Sequence, residues 1–280
     1  MAHWGAALAG VWFAWLQLTP QEFSITSQNL FLSLFAGLSI GVIAFFSLIT
    51  IELAIRHMGP ARWSTFSRIS SPKASSEPCG LAILRGTLVG LVLLGVDAFL
   101  VWAGTHHFGM RLDGFSLLYL QGMLFLQNPW SSVQLVFYPA LVSGIAMLIA
   151  LTTALVSRVV GRSWLALFLA AALAAAIGTI PFYMIGAVQP YYAKVLVLLF
   201  DYLILCWAFY RFDWLTLLVA SFTFPFFWQN YTLLVMFSPT GASEEWFAFA
   251  IWGLCVAASV AIAFKSAILT AYRRVATAFQ

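Results

Sequence analysis

The stretch LAILRGTLVGLVLLGVDAFLVWAG, residues 81–104, decides the fold class of this chain. It is 24 residues long and contains two charged residues, Arg85 and Asp97. As an α-helix it would be about 36 Å long, which exceeds the roughly 30 Å hydrocarbon core of a bilayer. Because lipid offers no hydrogen-bonding partner to backbone N–H and C=O groups, the stretch is expected to cross a membrane as a helix.

The composition of the whole chain supports this interpretation. Of its 280 residues, 63% are hydrophobic and 8% are charged, whereas soluble domains average about 25% charged residues. A soluble fold of this size would leave too much apolar surface without polar cover. The net charge of +4 is not arranged as a basic stripe, so we predict no nucleic-acid partner.

Apolar runs of spanning length recur along the chain and predict an all-α, polytopic transmembrane bundle that forms one domain, residues 1–280. Eight spans are predicted, near residues 3–19, 29–55, 81–104, 132–157, 163–188, 192–210, 214–237 and 246–270. The first is short and has the membrane interface as its alternative location. The apolar stretch 115–130 is expected to lie along the outer interface, with a re-entrant segment as the alternative.

The basic residues of the connecting segments test this topology. With a cytoplasmic N-terminus, nine fall on the inner side: Arg56, Arg62, Arg68, Lys73, Arg158, Arg162, Arg211, Arg273 and Arg274. Arg111 and Lys194 fall outside. This is the bias that the positive-inside rule requires, and an odd number of spans would remove it. We therefore predict that both termini are cytoplasmic and that the membrane is a bacterial-type inner (plasma) membrane.

No sequence motif for catalysis is found. Glu244 and Glu245 match the start of the EExxxR element of intramembrane CAAX-type proteases, but Phe249 stands in place of the Arg. The sequence contains no GxSxG, Walker or HExxH motif. Its three cysteines are widely spaced without a CxxC pair, which argues against a disulfide framework or a zinc site. We therefore predict that the protein is not an enzyme and holds no metal.

Polar residues at membrane depth form the candidate site. Asp97 lies inside the third span and Asp201 inside the sixth, while Gln229 and Asn230 of the seventh span lie at comparable depth. A charged side chain at the bilayer centre costs about 2.5–3.5 kcal/mol on insertion scales, so such groups are normally turned inward and paired or protonated. Two interpretations are open. These residues form a cation, proton or headgroup site, or they form interhelical hydrogen bonds that fix the packing.

Two neighbouring histidines, His106 and His107, lie at the outer end of the third span. Either is a candidate ligand for a pigment or a metal, and capping of a helix end is the alternative role. No second His or Cys stands at a spacing that would complete a local metal pair on a span.

Four segments match the pattern of a known membrane module. They are IELAIRHMGPARWSTFSRI (51–69), ILRGTLVG (83–90), RFDWLTLLVASF (211–222) and EEWFAFAIWGLCVAASVAIAF (244–264). Together they resemble the multi-helix membrane region at the C-terminal end of acidobacterial serine/threonine protein kinases. The family outline is kept by Glu52, Arg56, Trp63 and Arg68, whereas Leu53 replaces a Pro and Arg85–Gly86 lacks a following Asp. The 280 residues include no kinase domain, and the resemblance implies a membrane-anchoring or sensing module without chemistry of its own.

These features predict a non-enzymatic integral membrane subunit that acts as a scaffold or anchor within a larger membrane protein complex. Its expected partners are membrane lipids and other integral membrane subunits. Bound lipids are expected as cofactors, and the 17% aromatic content is compatible with a pigment or another hydrophobic cofactor. The alternative function is a small ion-coupled transporter that uses Asp97 and Asp201.

Overall fold

The computed structural model describes residues 49, 52, 76–112, 145–161, 164–178, 188–237 and 242–265. These residues form six α-helices, namely α1 (Glu77–His107), α2 (Ile145–Val160), α3 (Trp164–Gly178), α4 (Tyr191–Arg211), α5 (Trp214–Phe237) and α6 (Ala242–Ala263). Two short strands, β1 (Arg111–Leu112) and β2 (Val188–Gln189), pair antiparallel. The predicted helical class is confirmed for this part of the chain.

Two of the described helices are long and apolar enough to cross a membrane, Glu77–His107 and Tyr192–Arg211. They correspond to the predicted spans 81–104 and 192–210. The predicted spans 3–19 and, apart from two residues, 29–55 lie outside the described residues, as does the predicted interfacial stretch 115–130.

The predicted fifth span, 163–188, is wrong at its C-terminal end. Helix α3 ends at Gly178, and Val188–Gln189 form a strand instead of a helix. Residues 179–187, which include Pro181, lie outside the described residues.

Helices α1 and α5 pack closely and run in the same direction. Gly86 lies against Thr216, and one turn later Gly90 lies against Thr223. A Cβ atom on Gly86 would come within 2.6 Å of the Thr216 carbonyl oxygen, so the approach of the two backbones depends on glycine at this position. Across the same interface, the Thr216 hydroxyl donates to the carbonyl oxygen of Ala82 at 3.3 Å.

Helices α4 and α6 run antiparallel to α1. Gly80, at the start of α1, lies against Ala263 at the end of α6. At the other end of α1, strand β1 pairs with strand β2, which directly precedes α4. The end of α1 therefore lies beside the start of α4, as in an up-and-down helical bundle.

The contact between α3 and its neighbours α2 and α4 consists largely of small side chains. The fully buried positions of α3 are Ala170, Ala171, Ala174 and Ala175. Larger apolar side chains of the same helix, such as Phe168 and Leu173, are exposed. Gly161 directly follows α2 and has a φ of +83°, a conformation that favours glycine. Small residues at helix contacts with large apolar residues outside are typical of membrane bundles.

We expect Gly86→Ala and Gly90→Ala to destabilise the protein, because each added methyl group collides with α5. Each should lower the free energy of unfolding by about 1–3 kcal/mol, the usual cost of overpacking. Gly95→Ala is the matched control, since nothing lies within 4 Å of its Cβ position and alanine favours a helix. Denaturant-induced unfolding of the purified protein in mild detergent measures all three. Equal stability of the Gly86→Ala and Gly95→Ala proteins would contradict the packing of α1 on α5.

Candidate functional site: a buried carboxyl pair

Asp97 lies on the same face of α1 as the packing glycines. Gly90, Leu93 and Asp97 are three and four residues apart, a spacing that places them on one side of a helix. This side is buried by the neighbouring helices, and Asp97 is only 2% exposed. The spacing of the sequence thus puts a carboxyl group inside the bundle.

Asp201 enters the same interior from α4, where it is 3% exposed. Asp97 lies ten residues before the end of α1 at His107, and Asp201 lies ten residues after the start of α4 at Tyr191. Because these ends adjoin and the helices are antiparallel, the two aspartates lie at the same level. Their carboxyl groups face each other within hydrogen-bonding distance. The structure therefore brings together the two acidic residues that the sequence singled out.

The carboxyl pair receives no hydrogen bond from elsewhere in the described part of the chain. Both oxygens of Asp201 and Oδ1 of Asp97 are buried there without a donor. A carboxylate only accepts hydrogen bonds, so a hydrogen bond between two carboxyl groups requires a proton on one of them. Two anions at this separation would repel each other strongly in an apolar interior. The arrangement is suited to holding a proton or attracting a cation.

Hydroxyl groups that sequence analysis did not single out are also buried. Those of Tyr202, Ser221 and Thr223 lack a hydrogen-bond partner among the described residues. Tyr202 is 1% exposed, and its hydroxyl lies within electrostatic range of the Asp201 carboxyl group. Tyr202 directly follows Asp201 in the sequence, and this position could have indicated a buried hydroxyl. A tyrosine in a span is usually interpreted as an interface anchor, so the residue was not singled out.

A contact between α2 and α4 lies close to Tyr202. One turn after Tyr202, Sγ of Cys206 accepts a hydrogen bond of 3.4 Å from Oγ1 of Thr153. Cys79 and Cys206 are buried, Cys255 is exposed, and none of the three forms a disulfide. Cys79 and Cys206 therefore contribute to packing.

Gln229 and Asn230 belong to α5 and follow Pro225 within this helix. Their side chains lie outside the described part of the structure, so their grouping with the aspartates remains a prediction. The helix register bears on it. Gly90 lies against Thr223, and Asp97 and Asn230 each follow by seven residues along these parallel helices. The backbone of α5 is therefore expected to pass α1 near the level of Asp97.

The two histidines at the end of α1 are exposed and lie away from the carboxyl pair. Nδ1 of His106 lies 2.8 Å from the carbonyl oxygen of Trp102. The centroid of the Trp102 ring lies 5.1 Å from the centroid of the His106 ring and 6.1 Å from the centroid of the His107 ring. These contacts are local to α1. In the described residues no group of three His, Cys, Asp or Glu side chains could hold a metal ion. The role of His106 and His107 as pigment or metal ligands remains a prediction.

An aromatic cluster fixes α6 against α5. Phe226 stacks on Trp252 at a centroid distance of 6.4 Å, and Phe227 meets the same indole edge-on at 4.7 Å. Phe249 completes the cluster and lies 5.6 Å from Phe226. Such pairs add stabilisation beyond the burial of their area. Sequence analysis did not predict this cluster, because aromatic residues occur on every side of these helices.

No protein-family model, curated protein or solved structure matches the chain. The resemblance to kinase membrane regions therefore remains a prediction, and function has to be argued from the geometry.

We expect Tyr202→Phe to leave the protein as stable as the original or to stabilise it by about 1 kcal/mol, because it removes a buried hydroxyl for which the described part of the chain offers no hydrogen-bond partner. Tyr192→Phe is the matched control, since Tyr192 is 64% exposed and its hydroxyl should contribute little. Unfolding in mild detergent measures both. A marked loss of stability in the Tyr202→Phe protein alone would mean that this hydroxyl has a partner, contrary to the described geometry.

Proposed function

We propose that this chain is a multi-pass integral membrane protein with eight spans and both termini in the cytoplasm of a bacterial-type cell. We propose further that it is a non-enzymatic subunit, a scaffold or anchor whose outer surface contacts lipids and the helices of other subunits. The observation that carries the proposal is an inverted distribution of side chains, with large apolar groups outside and acidic groups inside.

Helix α1 illustrates this inversion. One face of this helix carries four large apolar side chains that are each more than half exposed, namely Leu88, Val92, Phe99 and Trp102. Their spacings of four, seven and three residues place them on the same side of the helix. Asp97 lies on the opposite face and is almost fully buried. In water, each large apolar side chain left exposed forgoes about 1.5–3 kcal/mol. Contiguous apolar patches of this kind mark membrane or protein contacts, and hydrocarbon is the environment that suits the whole face.

Helix directions agree with the proposed number of spans. In the predicted order, α1 is the third span, α4 the sixth, α5 the seventh and α6 the eighth. Alternating spans require α1 and α5 to be parallel and α4 and α6 to oppose them. The glycine contacts show that α5 is parallel to α1 and that α6 opposes it. The pairing of β1 with β2 places the end of α1 beside the start of α4, so α4 also opposes α1.

Basic side chains support the proposed sidedness. The guanidinium of Arg85 lies 5.4 Å from the ring centroid of Phe212, which places Arg85 beside the end of α4 at Arg211. Lys265 follows the end of α6, near the start of α1. We assign this end of the bundle to the cytoplasmic side, where the positive-inside rule expects Lys and Arg.

Lipid exposure of α1 is tested by Phe99→Arg. Phe99 is 61% exposed and lies near the level of the carboxyl pair, so an arginine there should cost about 2.5–3.5 kcal/mol in a bilayer and lower the yield of membrane-integrated protein. Phe108→Arg is the matched control, because Phe108 is 76% exposed but lies beyond the end of the helix. Fractionation of alkali-washed membranes measures both. Equal integration of the two variants would contradict the membrane placement.

A second candidate function, a small ion-coupled transporter, is favoured by one observation. The Asp97 and Asp201 carboxyl groups meet inside the bundle on two different helices. Intramembrane acidic residues that face a bundle interior commonly belong to ion or proton pathways. A carrier of this kind would load and release its ion at the pair as α1 and α4 move relative to each other.

One experiment separates the two functions. The protein is purified from native membranes in mild detergent, its companions are identified, and it is reconstituted into vesicles containing a trapped pH-sensitive dye. The scaffold proposal expects other membrane subunits in fixed stoichiometry and no proton flux. A solitary protein whose proton flux is lost in both Asp97→Asn and Asp201→Asn would establish the carrier and reject the scaffold. The Asp213→Asn protein is the control, since Asp213 lies at the start of α5, outside the pair.

A further inference from the structure

The Asp97–Asp201 pair has no neutralising partner among the residues that the structure describes. Both carboxyl groups are buried, and within the described residues they contact each other. On α1, Arg85 lies twelve residues from Asp97 and His106 nine, or about 18 Å and 14 Å along a helix. No lysine, arginine or histidine of the described residues therefore pairs with either aspartate.

The helices packed around the pair add few titratable groups. Near the pair, helix α4 contributes Tyr202 and Cys206, while its Lys194 lies seven residues, or about 10 Å along the helix, before Asp201 and does not interact with it. The described side chains of α5, from Trp214 to Trp228, contain no titratable group. The titratable groups of α6 and the residues after it, from Phe249 onward, are Cys255, which is exposed, and Lys265, which lies at the far end. The Tyr202 hydroxyl is also buried, has no hydrogen-bond partner among the described residues, and lies within electrostatic range of Asp201. Two carboxyl groups and a phenol thus share an interior that offers no counter-charge within the described residues.

We propose that Asp97 and Asp201 form a proton-binding site in which the two carboxyl groups hold at least one proton between helices α1 and α4. A proton on one group supplies the hydrogen-bond donor that the pair otherwise lacks, and it removes the repulsion between two anions. A metal ion such as calcium would need six to eight oxygen ligands, which the described surroundings do not offer. This inference deepens the second candidate function, but it depends on the packing of the bundle and not on transport.

Loss of the proton has a mechanical consequence. Two carboxylates left at hydrogen-bonding distance repel, and the repulsion acts directly across the contact of α1 with α4. Relief of the repulsion requires α1 and α4 to separate or rotate at this contact. The site would thereby couple proton occupancy to the arrangement of the helices.

The test uses the full chain in mild detergent and the apolar reagent dicyclohexylcarbodiimide, which reacts with protonated carboxyl groups. The acid proton moves to a carbodiimide nitrogen while the carboxyl oxygen bonds to the central carbon, and the acyl group then shifts to nitrogen to give a stable acylurea. Peptide mass spectrometry at neutral pH should find the adduct on Asp97 or Asp201. Asp213 is the internal control and should stay unlabelled, because its Oδ1 accepts a hydrogen bond of 2.8 Å from the Thr216 N–H.

Asn substitution tests whether the two groups act together. In Asp201→Asn, the amide N–H can donate to Asp97 and stabilise it as an anion, so labelling of Asp97 should fall about tenfold, equivalent to about 1.4 kcal/mol. Asp97→Asn should do the same to Asp201. Unchanged labelling of the remaining aspartate would overturn the proposal, as would the absence of an adduct from both aspartates of the original chain. Protection by sodium chloride but not by choline chloride at the same pH would overturn it in favour of a cation site.

A measurement on the unsubstituted protein decides the matter if the variants do not fold. Infrared spectroscopy at neutral pH should show the carbonyl band of a protonated carboxylic acid, because exposed Asp and Glu groups are ionised there. Absence of this band would overturn the proposal. A labelled pair in a protein that moves no protons would keep the inference and reject the carrier. Proton movement by a protein in which neither aspartate is labelled would keep the carrier and reject the inference.

Discussion

The close packing of helix α1 against its neighbours is the contact on which the rest of the structure depends. Gly80 and Gly86 allow α6 and α5 to approach the backbone of α1. Asp97 belongs to the same buried face, so the glycines that set these interhelical contacts also fix where its carboxyl group lies. Strand β1 follows α1 and aligns α4, and this alignment brings Asp201 to the level of Asp97. The carboxyl pair is therefore a consequence of backbone packing.

Some buried hydroxyl groups of the bundle form hydrogen bonds within their own helix. Hydroxyl groups such as those of Thr152 and Ser259 donate to carbonyl oxygens of their own helix, at 2.9 Å and 2.7 Å. This local bond satisfies the side chain without help from another helix. A carboxylate only accepts hydrogen bonds, and a helix interior has no free N–H to offer. A buried aspartate must therefore obtain a proton or a donor from elsewhere, and this requirement distinguishes the pair from the hydroxyl groups bonded within their own helix.

Hydropathy and length predicted helical segments, and the bounds of α1 and α4 lie close to the predicted spans 81–104 and 192–210. Depth along those spans also suggested that Asp97 and Asp201 lie together. The choice of neighbouring helices was beyond the sequence, because a helix that is apolar on all sides has no periodic pattern to mark its buried face. For the same reason the Phe226–Trp252 contact and the buried hydroxyl of Tyr202 were missed. The end of the predicted span 163–188 was placed too far along the chain, since Val188 belongs to strand β2.

Asp97 and Asp201 touch across α1 and α4, and a double-mutant cycle measures the energy of this contact. The free energies of unfolding of the original protein, Asp97→Asn, Asp201→Asn and the double variant are measured in one detergent at neutral pH. Contact predicts an interaction energy of about 0.5–3 kcal/mol between the two substitutions. Effects that add to within about 0.3–0.5 kcal/mol, as they do for separate sites, would contradict the contact.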